Sequence, residues 1–349
     1  MTEGVVPGAA AGTRTARAVQ ITAPGLLEQV EVEVAAPGPG EVRVQVAWCG
    51  ICGSDREILA GTRPAEFVRY PVVPGHEWSG TVEAVGPGVP ASLLGRGVVG
   101  QGIRTAEGTP ASVVGDVEGW PQEYEETGFT LPGGWSEFLV LPARYLHLLP
   151  EGADLRAAAG IEPAACVAEA VLEARVAAGE RVAVVGAGTL GLLAVQLLRG
   201  LGCEVTVVHR GPGREDVAAR CGAAHYVTTE AAERDLLGTF DVVIEAAGAP
   251  GIARTAVRLA RRGGRIVLTG IPPVDADDLS ALELVSRNVS LLTVFGAPTR
   301  AWAYAVRAFA AGTLDPGVLV THEFGLAQAS QALEELGART GALKVLLHP

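Results

Sequence analysis

Residues 181–201 read RVAVVGAGTLGLLAVQLLRGL, and this stretch decides the fold. The apolar run Val182–Val185 stops at Gly186, a length that suits a buried strand better than a helix. Leu190, Leu193, Ala194, Leu197, Leu198 and Leu201 then recur at the three- and four-residue spacing that puts an apolar stripe on a helix. Between them lies Gly186-Ala187-Gly188-Thr189-Leu190-Gly191, a GxGxxG run. The bare pattern is a weak signal in a chain with 46 glycines. It gains meaning from its place, closing a strand and opening a helix. Gly186 permits the tight turn, Gly188 lets the backbone approach a pyrophosphate, and Gly191 lets the helix pack on the strand. The first helical turn, from Thr189 and Leu190, offers free N–H groups and a positive dipole to phosphates. The rival reading is a glycine-rich turn with no ligand.

Strand and helix patterns keep alternating outward from this point. Strands are expected at Glu204–Val208, Asp241–Glu245, Arg265–Thr269 and Val289–Val294. Helices are expected at Glu215–Cys221, Ile252–Ala260 and Arg300–Ala311. Such βαβ units build a parallel, doubly wound sheet of the Rossmann type, placed here at 152–297. The preceding residues, 16–151, are β-rich instead, with strands expected at Ala16–Ile21, Glu28–Val34, Val42–Ala47, Val82–Val85 and Ser136–Leu141. One short helix is expected there, capped by Ser54 and ending at Gly61. A helix near Leu326–Leu336 and a strand at Ala342–Leu347 return the tail, 298–349, to the β-rich domain. Residues 1–15 have no periodicity and read as a disordered leader. The fold class is therefore α/β, a β-rich domain plus a dinucleotide-binding domain.

The end of the second Rossmann strand bears on which dinucleotide binds. NAD sites place an acid there for the ribose 2′-OH. Here the strand runs into His209-Arg210-Gly211-Pro212-Gly213-Arg214 with no carboxylate. A 2′-phosphate suits the guanidinium of Arg210, with Arg214 or His209 assisting, which favours NADP(H) over NAD(H). The alternative is an NAD site in which Arg210 is merely solvated.

Bulk properties remove several function classes. A formal charge of -12 argues against a broad nucleic-acid face. No run approaches the ~18 apolar residues of a membrane span, and no signal peptide is visible. Five cysteines, few and odd in number, argue against a disulfide scaffold, so a cytoplasmic location is expected. Lys344 is the chain's single lysine, a bias read as compositional rather than functional.

A second group of residues carries metal chemistry. Cys52 and Ser54 lie in GICGSD (50–55), His76 and Glu77 in GHE (75–77), and Glu162 in IEP (161–163). Thiolate, imidazole and carboxylate are donors that a catalytic zinc accepts while keeping one position open. Singly each has a bland reading: a core thiol, a loop histidine, a first-turn helix acid. Spacing alone does not join them.

These motifs in this order resemble the zinc-dependent medium-chain alcohol dehydrogenases, nearest to the polyol and threonine dehydrogenases, over nearly the whole chain from residue 16. DVVIEAAG (241–248), GGRIVLTG (263–270), THEF (321–324) and GALKVLL (341–347) extend the likeness. The resemblance implies a GroES-like catalytic domain and one catalytic Zn2+ per chain. Cys52, His76 and Glu162 would be its ligands, with Glu77 beside the metal or swinging in. It implies a proton relay from Ser54, and cofactor contacts that include Ala247 and Gly270. Asp55 would orient the site or cap its helix, and Cys49 matches a non-ligand position. Two departures stand out. The stretch Gly100–Gly128 lacks the four cysteines of a structural zinc lobe, and Glu57 stands where relatives often carry the histidine that ends the relay. The implied activity is hydride transfer between NADP(H) and an alcohol or carbonyl carbon. The implied substrate is a polyol, cyclitol, aminocyclitol or amino alcohol, with Trp120, Tyr124 and Trp135 near its pocket and a domain cleft enclosing the site. Reduction of a C=N or activated C=C bond in a tailoring pathway is one alternative, and a non-catalytic binding protein on the same fold is another. A homodimer or homotetramer, assembled through the Val289–Val294 sheet edge, is expected by the same analogy.

Overall fold

The computed structural model describes residues 12–104, 124–272, 279–337 and 341–349. The chain divides into two compact units, residues 1–162 with 320–349, and residues 163–319. The divisions fall later than the expected 151/152 and 297/298. Side-chain bonds explain the second shift: Arg300 reaches Glu169 and Glu173, and Gln196 pairs with the backbone of Asp315. The helix Thr299–Ala310 therefore belongs with the Rossmann unit.

That unit holds a six-stranded parallel sheet in the order His225–Thr228, Glu204–His209, Arg181–Val185, Phe240–Glu245, Ala260–Leu268, Ser290–Thr293. The order reverses beside Arg181–Val185, the place where such sheets open a ligand crevice at their carboxyl ends. Val182, Val184, Val207, Val242 and Ile244 are fully buried, as strands covered on both faces require. The strand His225–Thr228 and the helices Thr229–Asp235 and Ala281–Arg287 were not expected; they are short and carry mixed polarity. Ser290–Thr293 forms one edge of the sheet.

The other unit is built on a mixed sheet running Val320–Gly325, Lys344–His348, Glu41–Ile51, Glu77–Val85, Gly97–Gly100, Leu146–Leu148, with Phe138–Pro142 also paired to Glu41–Ile51. Arg14–Ala23 and Leu26–Val34 form a separate hairpin, so Arg14 and Thr15 lie in a strand rather than in the expected leader. Val42, Val44, Ile51, Trp78, Trp135, Leu141 and Val345 fill the core. The C-terminal strand pairs antiparallel with Glu41–Ile51 in the register Val345↔Ile51, which puts Lys344 beside the start of the metal motif.

The helix after that motif is Gly53–Ala60, ended by Gly61 in the left-handed region at φ 70°. Its cap differs from expectation. Cys52 is the capping position, and the Asp55 carboxylate accepts the Cys52 N–H at 2.8 Å. Ser54 lies inside the first turn, and its hydroxyl is left for other work.

Candidate active site

Strand ends and one helix start bring the metal motif together. Cys52 follows Glu41–Ile51, while His76 and Glu77 open the neighbouring strand Glu77–Val85. Their potential ligand atoms lie within 4.8 Å of one another, the single cluster of three such residues among the described residues. That span is close to the reach of one ion with bonds of about 2.0–2.3 Å. Glu162, in the first turn of Ile161–Glu173, stands outside this trio, but its charge is felt at His76 and at Lys344.

The electrostatics call for a cation. Burial alone would lower the His76 pKa, yet a hydrogen bond to Cys52 and the charges of Asp55, Cys52 and Glu162 hold it well above the usual 6.5. His76 is 5% exposed, and its Nδ1 and Asp55 Oδ1 are buried 3.8 Å apart with no hydrogen-bond partner. Buried polar atoms are seldom left unpaired. Donor set and spacing fit a divalent metal, while the orphaned Nδ1 faces Asp55 on the other side of the ring. Burial raises Asp55, against the pull of His76.

Lys344 lies at the site, although sequence reasoning passed over it. Its ammonium donates to Glu77 Oε2 at 2.5 Å and to the Ile51 carbonyl at 3.1 Å. Burial would lower its pKa, but Glu77, Cys52 and Glu162 raise it above the ordinary 10.5. Glu77 is thereby anchored on a lysine at the edge of the ligand trio. Gly50 makes room for this, because a Cβ there would lie 2.1 Å from Glu77 Oε2. The only sequence signal was that the chain's single lysine falls in GALKVLL.

Glu126 is a second residue whose nearness to His76 no motif marks. It is 7% exposed and accepts a short hydrogen bond from Tyr124. Burial pushes its carboxyl up to about 8; His76 lowers it, and Glu162 raises it. The following loop packs on the ligand segment, with a Gly128 Cβ 3.0 Å or less from the Gly75 backbone and the Phe129 ring 4.8 Å from that of His76.

The remaining expectations fall out unevenly. Ser54 Oγ is buried with no hydrogen-bond partner, as a hydroxyl awaiting a substrate would be. Glu57 is half exposed and pairs with Arg63 at 3.2 Å, outside the cluster. Trp135 is a core residue against Gly75, Tyr124 serves Glu126, and Trp120 lies outside the described residues. So does most of the Gly100–Gly128 stretch. Cys49 is buried with its thiol pushed well up by burial, which suits a structural role.

At the dinucleotide turn, Gly186 has φ 117°, and a Cβ on Gly191 would lie 1.9 Å from the Gly186 carbonyl. By contrast, a Cβ on Gly188 would meet nothing within 4 Å, so open space lies over the helix Thr189–Gly200 at its start. Gly186 abuts the Ala246–Ala247 peptide, and Gly270 abuts Gly248. The Glu245 carboxylate holds this second loop by accepting the N–H groups of Ala247 and Gly248 at 2.7 and 2.8 Å. His209 Nδ1 accepts from Ala187 N at 3.3 Å, and burial, then Arg210 and Arg214, lower its pKa. The nearby acid Glu215 is turned back on the Gly213 N–H at 2.6 Å.

Comparison with known proteins agrees with this fold. Residues 38–151 match the alcohol dehydrogenase GroES-like domain, and residues 189–311 match the zinc-binding dehydrogenase domain. The chain is 30% identical over 330 residues to 2-dehydro-3-deoxy-L-galactonate 5-dehydrogenase of Pseudoalteromonas atlantica, covering 91% of this chain and 94% of that one. A zinc-binding dehydrogenase from Sinorhizobium meliloti solved with NADP superposes with a TM-score of 0.86 at 29% identity, covering 96% of this chain and 100% of that one. An alcohol dehydrogenase from E. coli CFT073 solved with NADH superposes with a TM-score of 0.86 at 28% identity, covering 96% and 99%.

Removing the ammonium from the Lys344–Glu77 pair strands a buried carboxylate. Lys344→Met is expected to destabilise the metal-free protein by about 3–5 kcal/mol, read from chemical denaturation of chelator-treated samples. An unchanged midpoint would show that the pair is not what anchors Glu77.

Proposed function

Because the chain belongs to the zinc-type medium-chain alcohol dehydrogenases, we propose that it moves a hydride between NADP(H) and an alcohol or carbonyl carbon of a hydroxyl-rich substrate. Polyols, cyclitols, aminocyclitols and amino alcohols form that class. The observation that carries the reading is the trio of half-buried Cys52 with buried His76 and Glu77, together with the unpartnered Ser54 hydroxyl. The enzyme class itself is shared with the relatives; the metal, the cofactor and the substrate are our assignments.

Cys52 and His76 would hold one zinc, with Glu162 or Glu77 supplying the carboxylate. When bound, the metal supplies Lewis acidity toward the substrate oxygen, and the dinucleotide supplies or takes the hydride. The protein's part is positional. Lys344 keeps Glu77 from the ligand sphere or releases it. Asp55, fixed through the Cys52 N–H, faces the far nitrogen of His76 and orients the ring. Ser54 Oγ holds the substrate hydroxyl proton. Glu57, tied to Arg63 at the surface, is poorly placed to end a relay, so water takes the proton onward. The open space over Gly188 receives the pyrophosphate, and Arg210 and Arg214 receive a 2′-phosphate, with Glu215 turned onto the Gly213 N–H.

We also propose a homo-oligomer built on the Ser290–Thr293 edge. Unpaired strand edges are ready templates for a second copy. Leu282 and Val285, on the preceding helix, are 79% and 78% exposed, an unusual waste of apolar surface in a monomer.

Elemental analysis of protein purified without added metal is expected to give about one zinc per chain, falling to near zero in Cys52→Ala; no zinc, and none taken up, would sink the Lewis-acid reading. Arg210→Ser is expected to raise KM for NADPH by about 10–100-fold, the worth of a charge-assisted contact of about 1.5–3 kcal/mol, while KM for NADH stays within about twofold. Equal effects on both cofactors would argue against a 2′-phosphate site. Light scattering should give a multiple of 35.8 kDa, collapsing to that mass in a Leu282→Glu, Val285→Glu double variant; a monomeric parent would refute the edge interface.

A further inference from the structure

Glu126 is an acid without an evident structural duty. Its backbone is fixed: the carbonyl accepts from the N–H groups of Phe129, Thr130 and Leu131 at 3.2, 3.0 and 3.0 Å, and its own N–H donates to Thr130 Oγ1 at 2.8 Å. The pairing Ile103↔Glu126 pins it from the other side. The carboxyl is therefore held in place rather than swung in from solvent. Yet no Lys or Arg lies within ion-pairing distance of it among the described residues; its one side-chain partner is the Tyr124 hydroxyl. His76 and Arg63 act on it only from beyond ion-pairing distance, and a buried acid without a direct ion pair is costly and is usually retained for a reason outside packing.

The position gives the reason. Glu126 begins the loop whose Gly128 abuts Gly75 and His76 and whose Phe129 lies against the His76 ring. Next to it, Thr127 is fully buried with its hydroxyl unpartnered. The loop thus brings two polar side chains without charged partners alongside the ligand segment, in the same unit as Cys52, Ser54 and Glu162. The surroundings are rich in negative charge. Cys52, Asp55, Glu77 and Glu162 face Lys344, while Arg63, paired with Glu57, acts on Glu126 only from a distance. Even a bound dication leaves this set negative, so a substrate bringing a positive charge is favoured over a neutral one.

Resting on the oxidoreductase reading above, we propose that Glu126 is a specificity-determining residue that selects substrates carrying a protonated amine close to the reacting carbon. Within the hydroxyl-rich class this singles out amino alcohols and aminocyclitols. A site built to pair one group discriminates strongly against analogues that lack it, because its own buried group is then left unpaired.

Three probes differ at one substituent: trans-2-aminocyclohexanol, trans-1,2-cyclohexanediol and cyclohexanol. Each is measured with the zinc-loaded enzyme and NADP+, as kcat and KM separately, and by calorimetric binding. The expected result is a kcat/KM for the aminoalcohol at least about tenfold above the other two, and tighter binding by a similar factor. In Glu126→Gln both preferences vanish, chiefly through KM and Kd, while cyclohexanol turnover and zinc content stay within about twofold. A preference that survives in Glu126→Gln overturns the proposal. So does an equal loss for all three probes, which would mark a structural role, or a loss of zinc, which would make Glu126 a ligand. A preference for the diol that Glu126→Gln abolishes overturns the amine in favour of a hydroxyl. Amine binding that depends on Glu126 without turnover of any probe would uphold the recognition site and count against the oxidoreductase reading instead.

Discussion

The constraint on which the GroES-like unit turns is the concentration of negative charge around one buried imidazole. Asp55, Cys52, Glu77 and Glu162 converge where water is largely excluded, and such a set is tolerable only with compensating positive charge. Lys344 supplies part of it from the C-terminal strand, and a protonated His76 supplies part of it in the metal-free protein. A divalent ion would supply the rest and return His76 to the neutral form in which imidazole binds metals. Strand register, helix cap and the absence of a side chain at Gly50 all serve this one balance. Moving Lys344–His348 by a residue would turn the lysine to the other face of the sheet.

The dinucleotide-binding unit rests on a steric constraint instead. Gly191 has no room for a side chain because the Gly186 carbonyl occupies the space, and that contact sets how closely the helix approaches its strand. At Gly188 no such contact exists, and the space over it is open. The two glycines of one motif therefore differ, since packing of the helix on its strand demands only Gly191.

Legibility from sequence followed this division. The Rossmann strands were readable because they are buried on both faces and so run as continuous apolar segments; Glu215–Cys221 was placed to the residue because a glycine in the left-handed region ends it. The short helix Ala281–Arg287 was missed, since it exposes Leu282 and Val285 and so has no amphipathic stripe to detect. In the site, Cys52, His76 and Glu77 sit in local motifs and the structure brings them together, whereas only the family resemblance attached Glu162 to them. Lys344 and Glu126 were not legible, because their roles come from strand register and from a loop folding against His76. Neither leaves a local pattern. The Ser54 cap went wrong because the backbone entering the helix let Asp55 reach back to the Cys52 N–H, the stronger, charge-assisted bond.

The choice of lysine at position 344, in a chain that otherwise uses arginine, follows from the same geometry. A compact ammonium offers its donors in a small volume, and the Glu77 carboxylate and the Ile51 carbonyl take them at hydrogen-bonding distance. A guanidinium carries five N–H donors in a rigid plane. In a pocket where Glu77 already fills the space beside Gly50, several of those donors would be buried without acceptors. Arginine suits an exposed position such as Arg210, where solvent can take every donor of its fork. What composition alone presents as a bias thus has one exception, and the exception sits where a point charge is the better fit.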